Sequence, residues 1–285
     1  MVGQDFIFNN KRLIDFGFVM AKSNDNTSNS GLTREINKGT VTSERSQTNH
    51  FGTTYTDVIT LPFFIVKNSC DTSLGNTITP FELRKIQSWL TYSQLPQTLK
   101  VEDKNGEMIE YCGIFTDISP YEYQGLNGLY LTFTCDSPFA YSSKEIKIDC
   151  KGNISVEKNI FNDTDEFSEY VYPTIIFNPS TNGEIQITNN NDNNKYMKMR
   201  FASYYNEIII DCRLKRIIAD GKVLSLNDVG FNISEITDYN NVNTGIFTMY
   251  WLRLVKGQNI VSFVGNGVFT VKYKEPLKLG GLVYV

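Results

Sequence analysis

The stretch Ile260-Val-Ser-Phe-Val-Gly-Asn-Gly-Val-Phe-Thr-Val-Lys-Tyr273 decides the fold class of this chain. Apolar residues dominate its two arms, Ile260–Val264 and Val268–Tyr273, and the pair Asn266-Gly267 lies between them. Because Asn-Gly tolerates the positive φ angles of a tight hairpin turn, the stretch predicts two antiparallel β-strands.

The same pattern recurs upstream. Turn pairs occur at Asn182-Gly183, Asp220-Gly221 and Lys256-Gly257. Further strands are expected at Tyr172–Phe177, Glu184–Thr188, Tyr196–Phe201, Glu207–Cys212, Leu214–Ala219, Val223–Leu226 and Tyr250–Val255. Short strands with frequent turn signals predict an antiparallel β-sandwich.

Before residue 140 the pattern is α+β instead. Strands are expected at Phe6–Phe8 and, after an Asn9-Asn10 turn, at Leu13–Met20; another is expected within 55–67. Leu129–Cys135 alternates apolar and polar residues, as a half-buried strand does. The change of pattern predicts two domains, residues 1–143 and 144–285. Residues 22–54 are polar and lack a period, which is typical of an exposed loop or of an arm that orders on a partner.

One helix is expected after Thr79. Thr at the N-cap, Pro80 at the first helical position and Glu82 at the third form a capping-box signature. The apolar residues Phe81, Ile86, Trp89 and Leu90 are expected to share the face that lies on a sheet.

Composition supports a mostly β protein and excludes several function classes. The 285 residues are 41% hydrophobic, 13% aromatic and only 20% charged. The net charge is −4, from 27 basic and 31 acidic residues without a basic run, which argues against a nucleic-acid-binding surface. No stretch approaches the length of a membrane helix, and the N-terminus lacks the features of a signal peptide.

The five cysteines are predicted to be buried free thiols. They are Cys70, Cys112, Cys135, Cys150 and Cys212, an odd number without a Cys-x-x-Cys pair, and each lies in or beside an apolar run. Free thiols fit assembly in a reducing cytosol.

Candidate chemistry is sparse. His50 is the one histidine and lies in a polar segment, where a solvated residue is more common than a catalytic base. Asp163, Asp165, Glu166 and Glu169 form an acidic cluster that is typical of a solvated loop; a weak Ca²⁺ site and the carboxylates of a hydrolase are the alternatives. Asn189–Asn194, with Asp192 as its one charge, does not match an EF-hand loop. We therefore predict no catalytic residue, no metal ligand and no cofactor.

Sugar binding is the other chemistry that a β-sandwich often hosts. It commonly uses exposed aromatic rings as stacking platforms. The two tryptophans, Trp89 on the apolar helix face and Trp251 in an expected strand, are better interpreted as core residues.

Several segments together resemble a known family. They are FIFNNKRLIDFGFVM (6–20), YCGIFTDISPYEYQGLNGLYLTFTCDSPFAY (111–141), YPTIIF (172–177), GEIQITNNN (183–191), EIIIDCRLKRIIADG (207–221) and WLRLVKGQNIVSFVGNGVFTVKY (251–273). In order and spacing they are similar to the distal tail proteins (Dit) of long-tailed phages of Gram-positive bacteria.

The resemblance implies an N-terminal ring-forming domain and a C-terminal sandwich of the galectin-like or carbohydrate-module-like type. It implies a structural, non-enzymatic hub of the tail tip, in the virion. Its ring, commonly hexameric, would join the tail tube protein to the tail-associated hub protein and anchor receptor-binding proteins, and DNA would pass through its channel. The alternative is a carbohydrate-binding module or adhesin that recognises cell-wall glycans through the second domain.

Overall fold

The structure is a computed structural model, and it describes residues 5–21, 34–38, 50–55, 57–67, 77–102, 108–123, 126–152, 154–166, 170–201, 203–225 and 250–279. The chain divides into two compact units, Met1–Ser142 with the segment from Pro276, and Ser143–Glu275. Each unit surrounds a hydrophobic core of its own. The mostly β fold class, with a single α-helix among these residues, is confirmed.

The first unit is an antiparallel sheet with one packed helix. Its elements are β1 (Phe6–Phe8), β2 (Lys11–Arg12), β3 (Phe18–Ala21), β4 (Arg34–Lys38), β5 (His50–Tyr55), β6 (Thr60–Lys67), α1 (Pro80–Leu90), β7 (Gln97–Glu102), β8 (Met108–Tyr123), β9 (Leu126–Cys135) and the start of β10 (Ala140–Cys150). The strands pair in the order β2-β1-β7-β8-β9-β6-β3. Leu131, Phe133 and Cys135 of β9 are buried, as their alternation predicts.

The expected strand Leu13–Met20 is wrong in its first half. Residues Leu13–Phe16 form a 3-10 helix that Gly17 ends in the left-handed conformation, with φ 78°, and β3 begins only at Phe18. The carboxylate of Asp15 accepts the backbone N–H of Arg12 at 3.1 Å and so stabilises the first turn. A side chain that caps its own turn competes with strand pairing.

Helix α1 begins as its capping signature predicts. The hydroxyl of Thr79 accepts the N–H of Glu82 at 3.3 Å, and the carboxylate of Glu82 accepts the N–H of Thr79 at 2.7 Å. On the buried side, the indole of Trp89 donates to the carbonyl of Phe8 at 3.1 Å and stacks on Phe16 with 4.1 Å between ring centroids. The prediction of a helix packed on a sheet is confirmed, as is the core position of Trp89.

The placement of Phe81 on the buried face is wrong. Phe81 is 72% exposed, whereas Ile86, Trp89 and Leu90 are buried. At 3.6 residues per turn, Phe81 lies about 140°, 80° and 180° around the helix from these three residues. Phe81 therefore belongs to the outer face.

The second unit is a β-sandwich. Its strands are the rest of β10, β11 (Val156–Asn162), β12 (Thr174–Pro179), β13 (Glu184–Asn189), β14 (Lys195–Arg200), β15 (Ile208–Asp211), β16 (Arg216–Ala219), β17 (Lys222–Val223), β18 (Gly257–Val264) and β19 (Gly267–Leu277). One sheet has the order β11-β18-β13-β14, and the other runs β17-β16-β15-β12-β19 and on to β10. Apolar residues from both sheets fill one core. Asp220 and Gly221 have φ angles of 45° and 79°, as a tight hairpin turn requires.

The expected strand Tyr250–Val255 is wrong, and with it the placement of Trp251 in a strand. This segment is extended but makes only one isolated bridge, in which Leu254 and Val171 exchange backbone hydrogen bonds of 3.2 and 2.8 Å. Half-buried Trp251 packs against the edge of the second core. The expected strand Leu214–Ala219 begins only at Arg216, because Asp211 accepts the N–H of Leu214 in a turn.

Candidate functional site

The catalytic candidates of the sequence do not form a constellation in the described part of the chain. No three His, Cys, Asp or Glu side chains there are grouped so that they could hold a metal ion. The backbone of His50 lies in β5, whereas its side chain and the whole of Glu169 lie outside the described residues.

The acidic loop after β11 is held by backbone contacts. The N–H of Asp163 donates to the buried carboxylate of Glu275 at 2.9 Å, and Glu275 also pairs with Lys144 at 2.7 Å. The ammonium of Lys256 donates to the carbonyl of Thr164 and lies 3.9 Å from the exposed carboxylate of Asp163. These contacts fix the path of the chain around Glu275. The solvated loop stays the prediction and the Ca²⁺ site its alternative, since Glu169 lies outside the described residues.

Asp192 has a structural role that the sequence did not reveal. Its buried carboxylate accepts two hydrogen bonds from the guanidinium of Arg253, at 2.6 and 3.1 Å, and one from the hydroxyl of Tyr250, at 2.9 Å. The guanidinium of Arg253 also lies over the ring of Tyr170, whose centroid is 3.8 Å from Cζ. The hydrogen bonds from Arg253 hold the pKa of Asp192 below its ordinary value. This network fixes the segment 250–255 to the sandwich.

Three buried asparagines complete the same network. Asn162 donates to the carbonyls of Leu254 and Val255, and Asn189 donates to that of Arg253. Asn259 accepts the N–H of Val255 and donates back to its carbonyl. Buried backbone groups need such partners, so these side chains replace the neighbouring strand that segment 250–255 lacks.

Four cysteines lie among the described residues, and all are free thiols. Cys135, Cys150 and Cys212 are buried, and Cys112 is half-buried. Burial raises the pKa of Cys135 and of Cys212 to about 12, which keeps both as unreactive thiols at neutral pH. The prediction of buried free thiols is confirmed for Cys135, Cys150 and Cys212, and Cys70 lies outside the described residues.

Three large side chains on and just after α1 are exposed. We call Phe81, Tyr92 and Leu95 the helix surface; they are 72%, 79% and 72% exposed. Phe81 lies in the first turn of α1, whereas Tyr92 and Leu95 follow the last helical residue, Leu90. Large side chains exposed together typically mark a surface that another protein covers.

The first unit also contains a separate two-stranded ribbon. Within the described chain, β4 and β5 pair only with each other, from Arg34↔Tyr55 to Lys38↔His50. The ring of Tyr55, at the end of β5, packs edge-on against Phe139 with 5.0 Å between centroids. An isolated two-stranded ribbon is marginally stable in water, so contact with another surface would stabilise it. All of the ribbon except Tyr55 lies in the polar segment 22–54.

A pocket of about 180 Å³ lies in the second unit, where the turns after β12, β14 and β18 meet. Phe177, Ile185 and Phe201 are buried and form its apolar floor. Its rim is polar and includes Asn182 and Tyr204. The sequence did not point to this pocket, because residues on four separate turns and strands line it.

The one α-helix among the described residues, α1, has 11 residues, and no helix there has the length and apolarity to cross a membrane.

Two comparisons with known proteins agree on the class of this chain. Residues 1–137 match the family described as phage tail protein N-terminal domain. The chain is also similar to the crystal structure of the Dit (gp 19.1) protein of phage SPP1, with a TM-score of 0.57 and 14% sequence identity over 96% of this chain and 99% of that chain. SPP1 Dit is described as a paradigm of the hub adsorption apparatus in phages that infect Gram-positive bacteria. No curated protein matches the sequence.

At 14% identity, the likeness to SPP1 Dit establishes the fold, and the family match carries the link to phage tails. The resemblance to distal tail proteins is thereby confirmed at the level of the fold.

Proposed function

We propose that this chain, whose residues 1–137 match a phage tail domain and whose fold is similar to that of SPP1 Dit, is the ring-forming hub of a phage tail tip. The ring is a homo-oligomer, hexameric as the family resemblance implies. It joins the tail tube protein to the tail-associated hub protein, and the protein has no enzymatic role. A phage tail protein is part of the virion; we propose that assembly takes place in the host cytoplasm.

The observation that carries the proposal is the match of residues 1–137 to a phage tail domain. This range lies within the first unit, Met1–Ser142, which we therefore assign to the ring. We assign the sandwich, Ser143–Glu275, to the attachment of receptor-binding proteins. Similarity over 96% of this chain and 99% of SPP1 Dit supports a role for both units together.

Two surfaces of the first unit suit ring closure. A closed ring needs two different patches on each subunit, because every interface joins unlike surfaces. The helix surface offers exposed apolar side chains, and the β4–β5 ribbon offers two strands that, within the described chain, pair only with each other. We propose that the ribbon of one subunit and the helix surface of its neighbour belong to the interface.

The charge of the chain suits a channel through which DNA passes. The 27 basic and 31 acidic residues give a net charge of −4. A strongly basic lining would bind phosphates and retain the DNA. The sequence has no basic run that would supply such a lining, which is compatible with the proposed passage of DNA.

The proposal is tested by the oligomeric state of the purified full chain. We expect light scattering to give the mass of a hexamer and electron microscopy to show a ring with a central hole. Phe81→Asp combined with Tyr92→Asp should weaken assembly about tenfold or more, since it places two charges in an apolar interface.

The matched control is Ile154→Asp. Ile154 is 71% exposed, like Phe81, but it lies in the second unit, so its substitution should leave the ring intact. A chain that stays monomeric at the highest concentration reached contradicts the proposed function. A ring that tolerates the double substitution contradicts only the assignment of the helix surface.

A further inference from the structure

The pocket of the second unit combines an apolar floor with a polar rim. Phe177, Ile185 and Phe201 form the floor, and the exposed side chains of Asn182 and Ser203 lie at the rim. Ligand sites typically pair apolar surface with a few polar groups that fix orientation. This pocket is therefore built like a ligand site.

One hydrogen bond orients the ring of Tyr204 at the pocket. Its side chain is 54% exposed, and its hydroxyl donates to the carbonyl of Pro179 at 3.3 Å. The neighbouring Tyr205 packs edge-on against Phe201, with 6.2 Å between ring centroids. Because the ring of Tyr204 is already oriented, a flat ligand that stacks on it loses less conformational entropy on binding.

The turns that form the pocket are also fixed by hydrogen bonds. The side chain of Asn266 donates to the hydroxyl of Thr181 at 2.9 Å, and its backbone carbonyl accepts the N–H of Ser180 at 2.8 Å. The N–H of Phe201 donates to the carbonyl of Gly183 at 3.4 Å. The pocket is therefore preformed rather than created by a ligand.

The volume of the pocket and the charge of its lining limit the class of ligand that it can bind. At about 180 Å³ the pocket is smaller than the 300–1,000 Å³ of sites for drug-sized ligands, so it admits one small ring. Among the described lining residues the one charged side chain is that of Glu184, which pairs with Lys198 at 2.9 Å, so the lining carries no unpaired positive charge for an anion. Amide and hydroxyl groups at the rim suit a ligand that carries several hydroxyls.

We propose that this pocket binds one neutral sugar residue, which stacks on Tyr204 and forms hydrogen bonds with Asn182 and Ser203. The sugar would be an end residue or exposed residue of a surface glycan. The site goes beyond the assembly role proposed above: the sandwich then contacts carbohydrate directly, in addition to holding other tail proteins. Neither proposal depends on the other.

Saturation-transfer NMR on the full chain tests the site. The probes are methyl glucoside, methyl galactoside and N-acetylglucosamine, with N-acetyltyrosinamide as a mimic of a protein side chain. We expect at least one sugar to receive saturation. Tyr204→Ala should weaken its binding by about fivefold or more, the effect of losing one aromatic stacking partner.

Two further variants and a control distinguish a loss of stacking on Tyr204 from a general loss of structure. Tyr204→Phe keeps the ring and should retain most of the binding, whereas Asn182→Ala should weaken it. Tyr172→Ala is the control, because Tyr172 is an exposed tyrosine of the same unit that does not line the pocket. The proposal is overturned if no sugar receives saturation, if Tyr204→Ala binds as wild type does, or if only N-acetyltyrosinamide binds, which indicates a protein partner.

Discussion

At the scale of single residues, buried polar side chains decide the course of the segment 250–255. Asp192 and Arg253 form a bidentate ion pair in which the carboxylate is almost fully buried. Asn162, Asn189 and Asn259 satisfy the backbone groups of the same segment. A buried pair of this kind is costly to break from one side, because the remaining charge loses its partner.

Asp192→Asn should lower the free energy of unfolding by about 3 kcal/mol at neutral pH, since it leaves Arg253 without a counter-charge. The pKa of Asp192 is lowered in the folded state by its hydrogen bonds from Arg253. The stabilisation is therefore complete above the unfolded-state pKa of about 3.9 and is lost as the pH falls through the lowered pKa. Urea unfolding of both proteins over a range of pH measures the difference.

Asp163→Asn is the control for this prediction. The side chain of Asp163 is exposed, and its carboxylate lies 3.9 Å from the ammonium of Lys256. Exposed pairs contribute about 0–1 kcal/mol, so the change should be small at every pH. An equal loss in both variants, or a wild-type advantage over Asp192→Asn that grows in acid, argues against the proposed role of the buried pair.

At the scale of elements, α1 shows how one helix serves the core and an outer surface. Its capping box starts it after Thr79, and Ile86, Trp89 and Leu90 attach it to the sheet. Phe81, with Tyr92 just beyond the helix, is left on the outside. The cap and the inner face can therefore be tested separately from the helix surface.

Thr79→Ala should destabilise the first unit by about 1 kcal/mol, because the N–H of Glu82 loses its acceptor. Ser88→Ala is the matched control: Ser88 is exposed in the last turn of α1, far from the N-cap, and Ala has the higher helix propensity. Thermal unfolding followed by circular dichroism measures both variants. Equal stability of Thr79→Ala and wild type would mean that the capping box does not hold the helix start.

At the scale of the whole molecule, two separate cores set the stability of the chain. One core contains Leu99 and the other Leu252, and both side chains are fully buried. Because each unit buries its own apolar surface, a cavity in one core should act first on the unit that contains it.

Leu99→Ala and Leu252→Ala should each cost about 3 kcal/mol through lost burial and the cavity left behind. We expect Leu99→Ala to raise amide hydrogen exchange mainly in β6–β9, and Leu252→Ala mainly in β11–β14 and β18. Each variant is the control of the other. Equal acceleration in both units after either substitution would show that the chain unfolds as one cooperative body.

The amino-acid sequence by itself determined the features that depend on near neighbours. The Asp220-Gly221 turn, the alternation of β9 and the capping box of α1 are each set within a few residues, by φ preferences, by the period of two and by local hydrogen bonds. The mostly β class and the likeness to distal tail proteins followed from the order of such local features along the chain.

Only the tertiary structure decided where distant side chains meet. In the sequence Asn162, Asn189 and Asn259 were indistinguishable from turn residues, because their partners lie up to 93 positions away. In the sequence Asp192 is the one charge of a polar run. Only the folded structure shows that Arg253, 61 positions further along the chain, lies beside it. The pocket of the second unit likewise exists only where its turns converge. Burial and pairing depend on contacts between segments, and the local pattern of a sequence does not contain that information.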